Sequence, residues 1–317
     1  MYSLTYKKNK DGDSVPIVRD GMRTLYVTDQ QTEKEDDEKN FLRTLDWDKL
    51  FRDFEMPPMN VRERAKATSN LMRHIIKRVP PIENDLAQIY NFIVEEIRNG
   101  NIKKQILSDN TLEILPSPTD DQNMRCIRVA AMSGAGKSWW TAAFCRNYHA
   151  MFPERDIYLF SFIQDPDPAF EGLPIIKIPL TRQLIEQDPE PDLRQFEKSL
   201  VIFDDAEASV DKVLLKYLEA LKDRILTMGR KLKISCIECT HLTTNFRQSR
   251  VSLLESGIFV IFPNGSSRRN LHYLLSNYTN LSPEKISHVL NIRGSRWVAV
   301  KKSMPSMIIT EHSVELI

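Results

Sequence analysis

The sequence predicts an α/β fold, with a mainly parallel β-sheet wrapped by helices and preceded by a helical N-terminal region. Three observations carry this. Beyond a Pro/Asp-rich break, "LPSPTDDQN" (Leu115–Asn123), short β-rich runs alternate with helical segments, as strands joined by helical crossovers do. One run, "SLVIFDDA", places four apolar residues in a row ahead of two acids, the pattern of a strand buried on both faces. The first run leads into a glycine-bearing turn, "AMSGAGKS", and then a helical stretch.

Taken in order, residues 1–40 are polar, end in "DQQTEKEDDEKN", and are expected to form a flexible arm. "FLRTLDWDKLFRDFEM" (Phe41–Met56) has apolar residues at helical spacing and is stopped by "PPM". Asn60–Val79 reads as a second helix, and a third begins near Asn84, a suitable cap. Residues 41–118 thus form a helical accessory region to which no chemistry attaches. The domain with the glycine turn spans 119–317. Its strands are expected in "MRCIRVAAM", "DIYLFSFI", "LPIIKIPL", "SLVIFDDA", "LKISCIECT" and "GIFVIFP". "SRWVAVKKSMPSMIITEHSVELI" is expected to add a C-terminal β-hairpin.

A chain of 317 residues with 41% hydrophobic content can build one large core plus a smaller unit. No window approaches the roughly 18 apolar residues of a membrane-spanning helix, and the N-terminus lacks a signal-peptide core. A soluble, intracellular protein is expected. The net charge of +1 hides an asymmetry: Lys222–Lys302 holds 14 Lys/Arg against 4 Asp/Glu. That excess suits either a polyanion or a scattered basic surface. Cys236 and Cys239 form a CxxC within a strand-like run. Residues three apart on a strand face opposite ways, so with Cys126 and Cys145 they are expected to be core thiols rather than a metal or redox pair.

"AMSGAGKS" has the spacing of a phosphate-binding loop, with Ala131 at its first position. It stands between a strand and a helix, as that motif must. Gly134 and Gly136 let the backbone turn its N–H groups inward. Ser133, Gly134, Ala135 and Gly136 would cradle phosphates and Lys137 would reach the β- and γ-phosphates of ATP. The Ser138 hydroxyl would ligate Mg²⁺, and the helix N-terminus adds positive potential. Trp139 is grouped with these binding residues, although core packing accounts for Trp139 and Trp140 without base stacking. At the C-terminal end of the Asp-Asp strand, where ligands sit in open α/β sheets, Asp204 would hold Mg²⁺. Asp205 or Glu207 would polarise the attacking water. Thr240 or His241, at the tip of the following strand, would sense the γ-phosphate, as in RecA-like ATPases. The class is therefore a RecA-like P-loop NTPase core.

Strand–"SGAGKS"–helix, "VIFDDA", and "LTMGRKLKIS…THL…RQSR…LLESGIFVIFP" together resemble the packaging ATPases of large DNA viruses, the poxvirus-type members of the FtsK–HerA superfamily. The resemblance spans roughly Met124–Asn264. The family often has "GRH" and a glutamine sensor where this chain has Lys231 and Thr240-His241. The resemblance implies a homo-oligomeric ring that hydrolyses ATP to move double-stranded DNA into a capsid. It also implies a capsid or portal partner, and a place in host cytoplasm, virus factory or virion. In such rings a neighbouring subunit supplies an arginine. Arg250 is the first candidate, ahead of Arg247, Arg230 and Arg224. Arg268, Arg269, Arg293 and Arg296 would contact the DNA backbone. A helicase-like remodeller, a P-loop kinase and a nucleotide switch are the alternative readings.

Overall fold

The computed structural model describes residues 2–6, 8, 14–28, 34–98, 105–118, 126–163, 165, 167–205, 211–241 and 250–317. The chain divides into two compact units, the smaller made mainly of Tyr26–Leu107 and the larger of Val15–Leu25 with Ser108–Glu315.

In the smaller unit, α1 (Lys34–Thr44), α2 (Trp47–Asp53), α3 (Val61–Lys77) and α4 (Asn84–Arg98) enclose a core that includes Phe41, Phe51, Leu71, Ile75, Ile89 and Ile93. The single helix expected over Phe41–Met56 is two. Asp46 interrupts it, and its carboxylate accepts from Lys49 N at 2.9 Å to start α2. Asn60 caps α3 in a reciprocal capping box with Glu63, which satisfies N–H groups that a helix start leaves unpaired. The segment expected as a polar arm carries strands β1 (Ser3–Thr5), β2 (Ser14–Asp20) and β3 (Arg23–Thr28), and α1 begins at Lys34. Ile17, Val18, Leu25 and Val27 are buried. Leu25 and Val27 alternate with the less buried Thr24 and Tyr26, a period-two signal that the charge run at 33–39 obscures.

The larger unit is built on a mixed sheet. β11 (Ile258–Ile261), β6 (Cys126–Ala130), β10 (Ser235–Thr240), β9 (Leu200–Asp204), β7 (Ile157–Ser161) and β8 (Ile175–Pro179) lie side by side in that order, all parallel. On the far side of β11 the sheet continues through β12 (Val298–Lys301), β13 (Met307–Thr310) and β14 (Ser313–Leu316). The β11–β12 and β12–β13 pairings are antiparallel. Each of the six expected parallel strands is present. The expected hairpin is instead three strands, because Lys302–Ser306 and Glu311–His312 both interrupt the apolar run. β4 (Gln105–Leu107) and β5 (Leu112–Ile114) are three residues each, too short for their periodicity to register.

Helix α5 (Lys137–Met151) follows β6, α6 (Arg182–Gln187) follows β8, and α7 (Lys212–Met228) follows β9. α8 (Arg250–Glu255), α9 (Arg268–Tyr278) and α10 (Pro283–Asn291) flank β11 in sequence. Alternation along β10 assigns the faces. Cys236 joins the cluster of α7 residues Leu214, Leu218, Leu221 and Ile225, whereas Cys239 Sγ meets Thr141 Oγ1 of α5 at 3.2 Å. The CxxC thiols therefore lie on opposite faces, and all four cysteines are buried. Among the described residues no helix is long and apolar enough to cross a membrane.

Candidate functional site

The loop between β6 and α5 turns at two left-handed glycines, Gly134 at φ +75° and Gly136 at φ +109°. L-residues rarely adopt such backbone, so glycine is required there for the turn to form. Gly136 is the N-cap of α5, and Lys137 is the first helical residue. Ser133 and Gly134 are exposed, while Ala135, Gly136 and Ser138 are half-buried. The Lys137 ammonium is buried; it donates to Ala131 O at 3.0 Å and lies 3.2 Å from His241 Nδ1. His241 Nε2 in turn lies 2.8 Å from Asp205 Oδ2. An ammonium only donates. A neutral imidazole that accepts from Lys137 at Nδ1 therefore carries its proton on Nε2 and donates it to Asp205.

This chain of contacts depends on strand order. β10 lies between β6 and β9, so the tip of β10 reaches the P-loop on one side and the Asp-Asp turn on the other. Ala131 N donates to Thr240 O at 3.1 Å, and Asp205 N to Cys239 O at 3.2 Å. Of the two sensor candidates, Thr240 is fully buried, and His241 is the side chain against Lys137 and Asp205.

Asp204 ends β9 and is 7% exposed. Burial, then the neighbouring Asp205, pushes its carboxyl up to about 6. Lys137 and His241 pull the other way, and Asp167 adds to the rise. Asp205 has φ +47°. Such backbone costs a non-glycine residue of order 1 kcal/mol and clusters at functional sites. Its Oδ1 is buried with no hydrogen-bond partner among the described residues. A paired acid with an unpartnered oxygen, beside a lysine, can receive a cation or a water.

Glu207 and Arg247 lie outside the described residues. Arg250 is exposed at the start of α8. Arg224 lies on α7, and Arg230 and Lys231 sit in the turn Gly229–Leu232, which leads into the start of β10, the strand end opposite the P-loop. The structure does not bring them to Lys137. The C-terminal charge excess is partly internal. Lys222 pairs with buried Glu238, and Lys301 is 2% exposed. Lys302 donates to the Leu253 and Leu254 carbonyls, and burial pushes its amine down to about 8. Arg268 donates to Asn291 at 2.9 Å, whereas Arg269 and Arg293 are exposed. Arg296 is tied to Glu311 through both its backbone N–H and Nε.

Two features escaped sequence reasoning. Asp167, beyond β7, faces Asp204 electrostatically and caps the turn Pro168–Phe170; an acid-rich "DPDP" after an apolar strand was its signal. The tryptophans part ways: Trp140 is buried against Phe144 and Trp297, but Trp139 is 62% exposed.

No known protein-family profile matches the chain. It is 29% identical over 191 residues to an uncharacterized protein, V3, of Sputnik virophage, a match covering 60% of this chain and 76% of that one. Among solved structures it is similar to the genome packaging NTPase B204 of Sulfolobus turreted icosahedral virus 2 in complex with sulfate. There the TM-score is 0.42 at 11% identity, over 59% of this chain and 95% of that one. The pCW3 conjugation coupling protein TcpA in monomer form with ATPγS is similar with TM-score 0.40 at 13% identity, over 61% of each chain. The cytoplasmic domain of the Type VII secretion ATPase EccC of Thermomonospora curvata gives 0.41 at 12% identity, over 60% of this chain and 25% of that one.

Proposed function

We propose that this chain is an ATPase that works on double-stranded DNA as a homo-oligomeric ring, a genome-packaging motor of viral origin. The observation that carries the nucleotide reading is the contact chain Ala131–Lys137–His241–Asp205 at the C-terminal edge of a parallel sheet. It puts a lysine, a P-loop turn and two carboxylates on one spot. The packaging reading rests on the likeness of the motif set to the poxvirus-type packaging ATPases and on a relative from a virophage.

ATP would lie with its phosphates along residues 133–138. Lys137 would exchange Ala131 O and His241 for phosphate oxygens, which releases His241 to hold Asp205 alone. Asp205, oriented through Oδ2 by His241, would take at Oδ1 the proton of a water whose oxygen bonds the γ-phosphorus as the bond from that phosphorus to the departing ADP oxygen breaks. Ser138 and Asp204 fit a magnesium ion. Asp204 is a buried carboxylate beside another, an arrangement whose cost a cation offsets. Held by Ser138 and Asp204, such an ion would supply charge neutralisation at the phosphates. An exposed Arg250 is available to a neighbouring subunit's site. Arg269 and Arg293 are available to DNA phosphates, whose contacts are sequence-independent and salt-sensitive.

The test is steady-state ATP hydrolysis with and without double-stranded DNA across a salt series. Hydrolysis that rises with DNA and fades with salt supports the motor. Hydrolysis indifferent to DNA removes the motor reading and leaves a kinase or a nucleotide switch.

A further inference from the structure

A cavity of about 210 Å³ opens beside the P-loop, against Ala135, Gly136, Trp139, Trp140, Phe262 and Trp297. It lies on a definite side of the sheet. Asp205 and His241 reach Lys137 from the β9–β10 side, whereas Phe262 directly follows β11, the neighbour of β6 on the other side. A β-carbon placed on Gly136 would stand 3.7 Å from the Phe262 ring. A triphosphate whose terminal group faces Asp205 must therefore run its sugar and base towards β11, into this cavity.

The dimensions and chemistry agree. The volume is below the roughly 300–1,000 Å³ of pockets that take a whole drug-sized ligand, and suits one ring system with the phosphates outside it. Trp140 is fixed in the wall, stacked on Phe144 at 5.9 Å and edge-on to Trp297 at 6.2 Å. Trp139, one residue earlier, also lines the cavity but remains 62% exposed. An exposed indole next to a phosphate loop presents a ring face on which a base can stack. Polar groups reach the same cavity. Arg296 is held there by Glu311, with Nε to Oε1 at 2.9 Å, and Glu113 accepts from Asn147 at 3.1 Å. A guanidinium and a carboxylate supply a donor and an acceptor for the edge of a base.

We propose that this cavity is the base subsite of the nucleotide, that it takes a purine, and that the Trp139 indole stacks on the ring. The inference rests on reading Lys137 as the triphosphate site. Stacking on an aromatic side chain scales with ring overlap, so a purine gains more than a pyrimidine.

The experiment is a set of equilibrium titrations of ATP, CTP and inorganic tripolyphosphate on wild-type, Trp139→Ala and Trp139→Phe full-length protein. Tryptophan fluorescence is recorded alongside. For wild type, ATP is expected to bind more tightly than CTP, and CTP more tightly than tripolyphosphate. Trp139→Ala is expected to raise the Kd for ATP at least about tenfold and to leave that for tripolyphosphate unchanged. Trp139→Phe should recover most of the loss. ATP, but not tripolyphosphate, should quench wild-type fluorescence. Equal losses for ATP and tripolyphosphate in Trp139→Ala would make Trp139 a prop for the loop and overturn the base subsite. So would wild-type protein that binds tripolyphosphate as tightly as ATP, and in that case the triphosphate site survives alone. Wild-type protein that binds none of the three overturns both readings.

Discussion

Replacing Glu238 by glutamine tests how the strand that carries His241 is anchored. Glu238 projects from β10 towards α7. Its Oε1 accepts from Lys222 Nζ at 2.6 Å, and its Oε2 accepts from Arg128 Nη1 and from Ser252 Oγ. Arg128 is 1% exposed, and the Lys222 and Glu238 side chains are each 9% exposed. Burial pushes the carboxyl up, but the charges of Arg128 and Lys222 and the donated hydrogen bonds outweigh it and hold the group at about 2. Since both oxygens face a cation, an amide NH₂ would meet a donor whichever way it flips. The substitution leaves two buried cations without their counter-charge. Removing one partner from such a cluster costs about 3–5 kcal/mol, roughly a fifth or more of a stability of about 5–15 kcal/mol. The assay is urea unfolding of both proteins across pH. The folded pKa lies below the usual 4.5, so the carboxylate's contribution is fully present above that value and is lost as pH falls towards about 2. The gap between wild type and Glu238→Gln should be widest near neutrality and close in acid. Adding Lys222→Met to Glu238→Gln should recover part of the loss. A cost below about 1 kcal/mol, or a gap that does not narrow in acid, would refute the reasoning.

Three further outcomes are expected. Gly136→Ala forces a β-carbon onto φ +109°, at a cost of roughly 1–3 kcal/mol, and should weaken ATP binding in a titration; unchanged affinity would contradict the turn geometry. His241→Ala removes the link between Lys137 and Asp205 and should lower kcat about 10²-fold with little change in ATP affinity; an unchanged kcat would exclude His241 from the reaction. Arg250→Ala and Lys137→Ala should each be inactive alone, since a trans arginine contributes about 10³–10⁵ in rate, yet recover ATPase activity when mixed, because a subunit with Lys137 intact then receives Arg250 from its neighbour; no recovery on mixing would exclude Arg250 as that group.

The parallel strands of the larger unit were legible because each is a short, continuous apolar run bounded by turn residues. The site was legible where chemistry constrains residue type. Gly134 and Gly136 occupy backbone that favours glycine, and Asp204 ends a strand buried along its whole length. What escaped depends on long-range placement. Thr240 and His241 are adjacent in sequence, and only the position of β10 between β6 and β9 shows that His241 touches Lys137 and Asp205. Trp139 and Trp140 look alike in sequence, yet the helix turns one into the core and the other outward. The buried Lys222, paired with Glu238, and the buried Lys301, bonded to the Ser303 and Pro305 carbonyls, make the same point about charge, since counting could not separate internal cations from surface ones. Strands β2 and β3 were hidden by the acidic run beside them.

Movement along duplex DNA driven by ATP is what separates a packaging motor from a kinase or a nucleotide switch. Displacement of a labelled third strand from a triplex-bearing DNA, by wild-type and Lys137→Ala protein, tests it most directly. Wild type is expected to displace the third strand only when ATP and Mg²⁺ are present and to leave the duplex strands paired, and Lys137→Ala to displace none. Wild-type protein that hydrolyses ATP on this DNA but leaves the triplex intact, or that separates the duplex strands instead, would contradict the account.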